Sequence, residues 1–124
     1  MKKLVLGALI FSGIFFASAQ SISFDNNTID YGTIKNGADG QRFFIVKNTG
    51  NKPLIINKVQ ASCGCTTPEW DKAPILPGKT TKIKVGYNTK LNGDFKKMIE
   101  VYSNDPEKGR ITLYIKGKVE PSTK

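Results

Sequence analysis

The sequence predicts an all-β sandwich or small barrel of seven or eight short strands. Three observations carry this. After Gln20, apolar residues do not recur at the three-to-four spacing of an amphipathic helix. Short runs of β-branched and aromatic residues instead alternate with Gly, Asn, Asp and Pro at regular intervals. Several runs are half polar, as antiparallel strands with one wet face require.

Taken in order, the chain begins with an export signal. Lys2 and Lys3 form a positive start, an apolar run follows from Leu4 to Phe16, and Ala17-Ser18-Ala19 places small residues where a signal peptidase reads. The run falls short of the roughly 20 residues that span a bilayer, so no membrane span is expected once the signal is cleaved. Cleavage is expected after Ala19, giving a signal peptide at 1–19, one sandwich domain at 20–120 and a polar tail at 121–124. No Cys lies near the cleavage site, which speaks against a lipoprotein. The expected location is the periplasm or the exterior.

Ser21 to Asp25 reads as a first strand with Ile22 and Phe24 on one face, and Ile29 to Ile34 as a second. Asn36-Gly37 and Asp39-Gly40 then punctuate the chain. Gln41 to Asn48 reads as a buried central strand, because Phe43, Phe44, Ile45 and Val46 make both faces apolar. Asn48-Thr49-Gly50-Asn51 is a turn, and Leu54 to Val59 the next strand, with Pro53 ahead of it. Pro74 to Gly78 is an extended segment ending in a turn. Thr80 to Tyr87 alternates cleanly, with Ile83, Val85 and Tyr87 on one face. Leu91-Asn92-Gly93-Asp94 has the composition of a hairpin turn. Phe95 to Ser103 sends Phe95, Ile99 and Val101 inward, with Lys97 as an exception, and Asn104-Asp105-Pro106 breaks the strand. Arg110 to Val119 sends Ile111, Leu113, Ile115 and Val119 inward. Tyr87 and Tyr102 are expected at strand edges with their hydroxyls outward.

The formal charge is +9, of which the leader carries two. The positive charge is mostly Lys and is spread along the chain, where a nucleic-acid protein clusters it with aromatic residues between. Nucleic acid is therefore not expected as a partner. The absence of His excludes the Ser-His-Asp, Cys-His and H-E-x-x-H arrangements. The acids are scattered, and no Gly-rich phosphate loop precedes a helix. Asn26-Asn27-Thr28 matches a glycosylation sequon by composition only.

Several blocks together carry a resemblance. They are Asn48-Thr49-Gly50-Asn51-Lys52-Pro53-Leu54-Ile55-Ile56, Ala61-Ser62-Cys63-Gly64-Cys65-Thr66, Pro74-Ile75-Leu76-Pro77-Gly78, Ser103-Asn104 and Ile115-Lys116-Gly117-Lys118-Val119. In this order they resemble a bacterial family of secreted immunoglobulin-like domains of unknown function with a Cys-Gly-Cys-Thr signature, over roughly Phe24 to Val119. The resemblance implies an immunoglobulin-like antiparallel β-sandwich, similar to cilia-associated, major sperm protein and pilus-chaperone-like domains. It implies binding or scaffolding, and fold alone does not fix function. No residue-level match to the pilus chaperones' subunit-gripping site is present.

The chemically suggestive feature is Cys63-Gly64-Cys65. Two cysteines in an exported chain suit a disulfide. In an extended strand their Cα atoms would lie about 6.6 Å apart, at the upper edge of disulfide geometry. Gly64 would let the backbone bend and close the gap. A three-residue loop stabilises the fold by only about 1.6 kcal/mol before strain, so the pair reads as reactive or packed. Four readings stand, in the order the sequence favours them: packed reduced thiols, a strained disulfide used in thiol exchange, a Cu(I) site, and a mixed disulfide with a partner. Gly64, Thr66 and Trp70 are supporting candidates, Thr66 as a hydrogen-bond donor and Trp70 as a core residue, a lid over the sulfurs or an exposed anchor.

The reading that follows is a non-catalytic, exported module that binds or scaffolds an unknown protein in the envelope or outside the cell, with no cofactor. The alternative is thiol redox or Cu(I) binding through Cys63 and Cys65.

Overall fold

The computed structural model describes residues 19–122. The expected signal peptide lies outside the described residues except for Ala19, as do the last two residues of the tail. Eight strands form: β1 (Ile22–Phe24), β2 (Thr28–Lys35), β3 (Gln41–Asn48), β4 (Ile56–Ala61), β5 (Thr66–Trp70), β6 (Thr80–Tyr87), β7 (Gly93–Ser103) and β8 (Arg110–Glu120). One sheet has the order β1-β3-β6-β5 and the other β2-β8-β7-β4. The chain is the immunoglobulin-like sandwich the sequence predicts.

All neighbouring strands run antiparallel except β2 and β8, which pair in parallel. These two strands sit near opposite ends of the domain's sequence, so no tight turn dictates their relative direction. At Gly32, whose φ is +68°, the β2–β8 register shifts between Asp30 and Thr33.

The inward faces of β3 and β6, carrying Phe44, Val46, Ile83, Val85 and Tyr87, meet those of β7 and β8, carrying Phe95, Ile99, Val101, Leu113, Ile115 and Val119. This is the period-two alternation of a half-buried strand. Gly117 sits where strands crowd. A Cβ there would lie 2.8 Å from Tyr31 Cβ, 2.9 Å from the Gly32 carbonyl oxygen and 3.0 Å from Phe95 Cζ. The missing side chain lets β2 and the Phe95 ring close over β8.

Several expectations are corrected. β3 is an inner strand of its sheet, but only Phe44, Val46 and Asn48 are buried; Phe43 faces out, 48% exposed, under the Lys82 ammonium. An apolar side chain on a sheet's outer face is tolerated because nothing polar has to be desolvated with it. Leu91-Asn92-Gly93-Asp94 does not close a hairpin. β6 and β7 lie in different sheets, so the segment from Asn88 onward carries the chain across the sandwich. The strand expected from Leu54 starts at Ile56, with Leu54 making an isolated bridge to Ile75. Tyr87 does not turn outward: its ring is buried and stacks on Phe95 at 3.8 Å. The Tyr102 hydroxyl does reach the outer face, donating to Glu100 Oε1. β5 has no counterpart among the expected strands.

Two buried polar residues secure one end of the sandwich, beside the start of β1. Asn48 is fully buried. Its Nδ2 donates to the carbonyls of Lys52 (2.7 Å) and Ile75 (2.8 Å), while its Oδ1 accepts from the N–H groups of Gly50 (2.9 Å) and Ser21 (3.3 Å). Asp105 accepts from the N–H groups of Ile22 (2.9 Å), Glu107 (2.8 Å) and Lys108 (2.9 Å). Burial pushes the Asp105 carboxyl pKa up, but the three N–H donors and the Lys108 charge outweigh it and hold it below the ordinary value of 3.8. The folded state therefore binds this proton more weakly than the unfolded state. Its contribution is present above the unfolded value and lost as pH falls through the lower folded one. Thermal unfolding followed from about pH 6 to pH 2 should show an acid limb that flattens in Asp105→Asn relative to the parent.

Candidate functional site

Ser62-Cys63-Gly64-Cys65 is the crossover from β4, an edge of one sheet, to β5, an edge of the other. Both ends of the segment are held by main-chain bonds. The Ser62 N–H donates to the Met98 carbonyl (2.9 Å), and the Asn88 N–H donates to the Cys65 carbonyl (2.9 Å). The Met98 N–H returns a bond to Ser62 Oγ (3.2 Å). Within the segment, the Thr66 N–H donates to the Cys63 carbonyl (3.3 Å), closing a tight turn.

That turn brings the Cα atoms of Cys63 and Cys65 to 5.3 Å, and the two sulfurs are joined. Contraction from the extended spacing makes the bridge possible. The structure adopts a disulfide in place of the packed free thiols that the sequence favoured first. Gly64 serves it less specifically than expected: its φ is not positive, and a Cβ there would meet nothing within 4 Å.

Both cysteines are half-buried. The Cys65 N–H donates to Cys63 Sγ at 3.2 Å. The buried Thr66 hydroxyl lies 3.9 Å from Cys63 Sγ and 3.8 Å from Cys65 Sγ, placing one polar hydrogen beside both sulfurs. Cys65 and Gly64 line one wall of an open depression of about 550 Å³, whose other walls include Gln41, Tyr87, Asn88 and Lys90.

Cys63, Gly64, Cys65 and Thr66 thus come together, and Trp70 does not join them. It ends β5, five residues beyond Cys65, or about 17 Å along an extended chain, so it is no lid over the sulfurs. Its ring packs on the core under the Lys72 ammonium, and its buried indole N–H has no acceptor among the described residues. Trp70→Phe should therefore change stability by less than about 1 kcal/mol, since it removes an unsatisfied donor along with some contact. Trp70→Ala should cost about 3 kcal/mol. Urea unfolding of the pair measures the contrast.

With the sulfurs bonded to each other, neither is available as a thiolate ligand, and Cu(I) would require prior reduction. Among the described residues, no three His, Cys, Asp or Glu side chains gather into a cation site, and no helix is long and apolar enough to cross a membrane.

A second feature was not singled out by sequence reasoning. The Leu54–Ile75 bridge buries those two side chains, and the residues that follow each, Ile55 and Leu76, face solvent at 37% and 54% exposure. Exposed Pro53, Pro74 and Pro77 flank them. Lys79 and Asp71 line a shallow depression with Pro74, Ile75 and Leu76, while Lys52 and Lys72, also exposed, lie just before Pro53 and Pro74 in the chain. The signal was present in Pro74-Ile75-Leu76-Pro77, where two adjacent large apolar residues cannot both point inward from an extended chain.

The architecture defines an immunoglobulin-like sandwich. The chain belongs to the family described as protein of unknown function (DUF1573), which matches residues 22–119. Among solved structures, the fold is similar to a protein of unknown function from Porphyromonas gingivalis W83 (TM-score 0.74, 18% identity, covering 86% of this chain and 50% of that one). It is similar to the ASH / PapD-like domain 7 of human CEP192 (TM-score 0.70, 8% identity, covering 89% and 92%). It is also similar to a chain of the CsuC-CsuE chaperone–tip adhesion subunit pre-assembly complex from Acinetobacter baumannii (TM-score 0.56, 9% identity, covering 80% and 57%). This chain spans half the length of the Porphyromonas gingivalis protein. No curated protein matches it in sequence.

Proposed function

We propose that the protein is an exported, non-catalytic module of the bacterial cell envelope that binds another protein through the Ile55–Leu76 ridge. The ridge carries the reading. The bridge turns Leu54 and Ile75 inward and leaves Ile55 and Leu76 partly exposed, and exposed apolar side chains that lie together mark interaction surfaces. The three prolines fix φ along the ridge, so little conformational freedom remains to be lost on association. The nearby lysines set the partner's chemistry: a protein surface that offers apolar side chains with carboxylates beside them. The chaperone likeness and the leader-like N-terminus favour an envelope location. The likeness of fold to a chaperone in complex with its subunit favours binding over catalysis.

The reading separates the ridge from the disulfide. Ile55→Asp/Leu76→Asp should keep its melting temperature within a few degrees, because both side chains are already exposed, yet lose the acidic envelope protein that co-purifies with the parent. Cys63→Ser/Cys65→Ser should fold and retain that partner. Native gels of the purified complexes, with the bound protein identified by mass spectrometry, give the comparison. A partner kept by the ridge variant, or lost only with the cysteines, contradicts the proposal.

A further inference from the structure

The Cys63–Cys65 bridge is poorly placed to be a structural staple. It spans only two residues of separation, and main-chain hydrogen bonds to Met98 and Asn88 hold both ends of its segment independently of it. A bridge that constrains so short a loop removes little freedom from the unfolded chain. Its environment suits exchange instead. The bridge is half-exposed, and Cys65, which packs one side against the core, is also among the residues lining the open depression. Cys63 Sγ accepts the Cys65 N–H, a donor that would stabilise negative charge on that sulfur. The Thr66 hydroxyl stands beside both.

We propose that Cys63–Cys65 is a redox-active disulfide that oxidises a dithiol protein, entered at Cys65 and released at Cys63. A thiolate of the dithiol attacks Cys65 Sγ from the depression. The Cys63–Cys65 bond breaks as the intermolecular bond forms, and the electron pair leaves on Cys63 Sγ, where the Cys65 N–H receives it. The second thiolate of the dithiol then attacks its own protein's sulfur in the mixed disulfide, releasing Cys65 as thiolate. The substrate has become a disulfide, Cys63 and Cys65 have gained two electrons, and the two substrate protons end on the two thiols. Run in reverse, Cys65 is the entering nucleophile and Cys63 the resolving one.

The test uses protein purified after expression of the 124-residue chain. In native buffer, reduced glutathione followed by maleimide quenching should label both cysteines without denaturant. With oxidised glutathione as probe, Cys63→Ser should accumulate a mixed disulfide at Cys65 at least about tenfold faster than Cys65→Ser does at Cys63, because the glutathione leaving group is the same in both and the rate follows access of the attacking sulfur. Both variants should melt within a few degrees of the parent, so a difference in rate is not a difference in folding. The labelling of the unmutated protein stands even if a variant folds poorly. A bridge that opens only in denaturant, or a Cys63 that reacts as fast as Cys65, overturns the proposal.

Discussion

Asn48→Ala is expected to lower stability by about 3 kcal/mol. The side chain has no exposure, so its four hydrogen bonds are made away from water. Alanine would leave the Lys52 carbonyl and the N–H groups of Ser21 and Gly50 without that partner, while the Ile75 carbonyl keeps the Leu54 N–H, and an unmet buried group costs about 1–3 kcal/mol. The groups nearest solvent recover water, which keeps the total below their sum. For a domain of this size the loss corresponds to a fall of about 15 °C in melting temperature. Asn48→Asp should also fail, since a carboxylate keeps the acceptor but cannot donate to the two carbonyls. Thermal unfolding followed by circular dichroism measures both. A shift of under about 5 °C for Asn48→Ala would show that the turn holds itself.

Phe95→Ala is expected to cost about 3–5 kcal/mol. The ring lies parallel to Tyr87 at 3.8 Å and edge-on to Tyr31 at 5.3 Å, so three aromatic rings from β2, β6 and β7 form one stack across the two sheets. Deleting the central ring removes two aromatic pairs and opens a cavity that the paired strands cannot collapse to fill. Phe95→Leu, which keeps much of the volume, should cost markedly less. Urea midpoints of the two variants, at unchanged slope, separate the cavity from a change in the unfolded state. Equal losses would mean that the aromatic geometry, and not the volume, matters at this position.

The strands that alternate, and β3 with its continuous apolar run, were legible. β3 and β6 have the limits that the sequence predicts, and the inward sets of β7 and β8 agree except that Ile111 is only half-buried. β5 was not legible, because Thr66-Thr67-Pro68-Glu69-Trp70 has no apolar alternation and contains a proline. It is a strand because it pairs with β6 along a sheet edge, where a missing N–H is tolerated. Topology was equally hidden: Leu91-Asn92-Gly93-Asp94 has hairpin composition, yet the strands on either side belong to different sheets. Asn48 and Asp105 read as ordinary turn residues. The clue to Asn48 was its parity with Phe44 and Val46, which puts a polar side chain at an inward position. At the site, Cys63, Gly64, Cys65 and Thr66 are contiguous, so their meeting followed from local geometry alone. The distance of Trp70 from the sulfurs followed only once the segment between them was extended.

The measurement that bears most directly on the binding role is photo-crosslinking in the intact envelope, with a photoreactive side chain at position 76 and, separately, at position 43. Leu76 lies on the ridge, and Phe43 is a comparably exposed apolar residue on the outer face of a sheet. The account predicts one acidic protein joined at position 76, lost when Ile55→Asp is added and weakened by salt, with no such adduct from position 43. The same protein crosslinking from position 43 and not from position 76, or persisting at 76 despite Ile55→Asp, would contradict it.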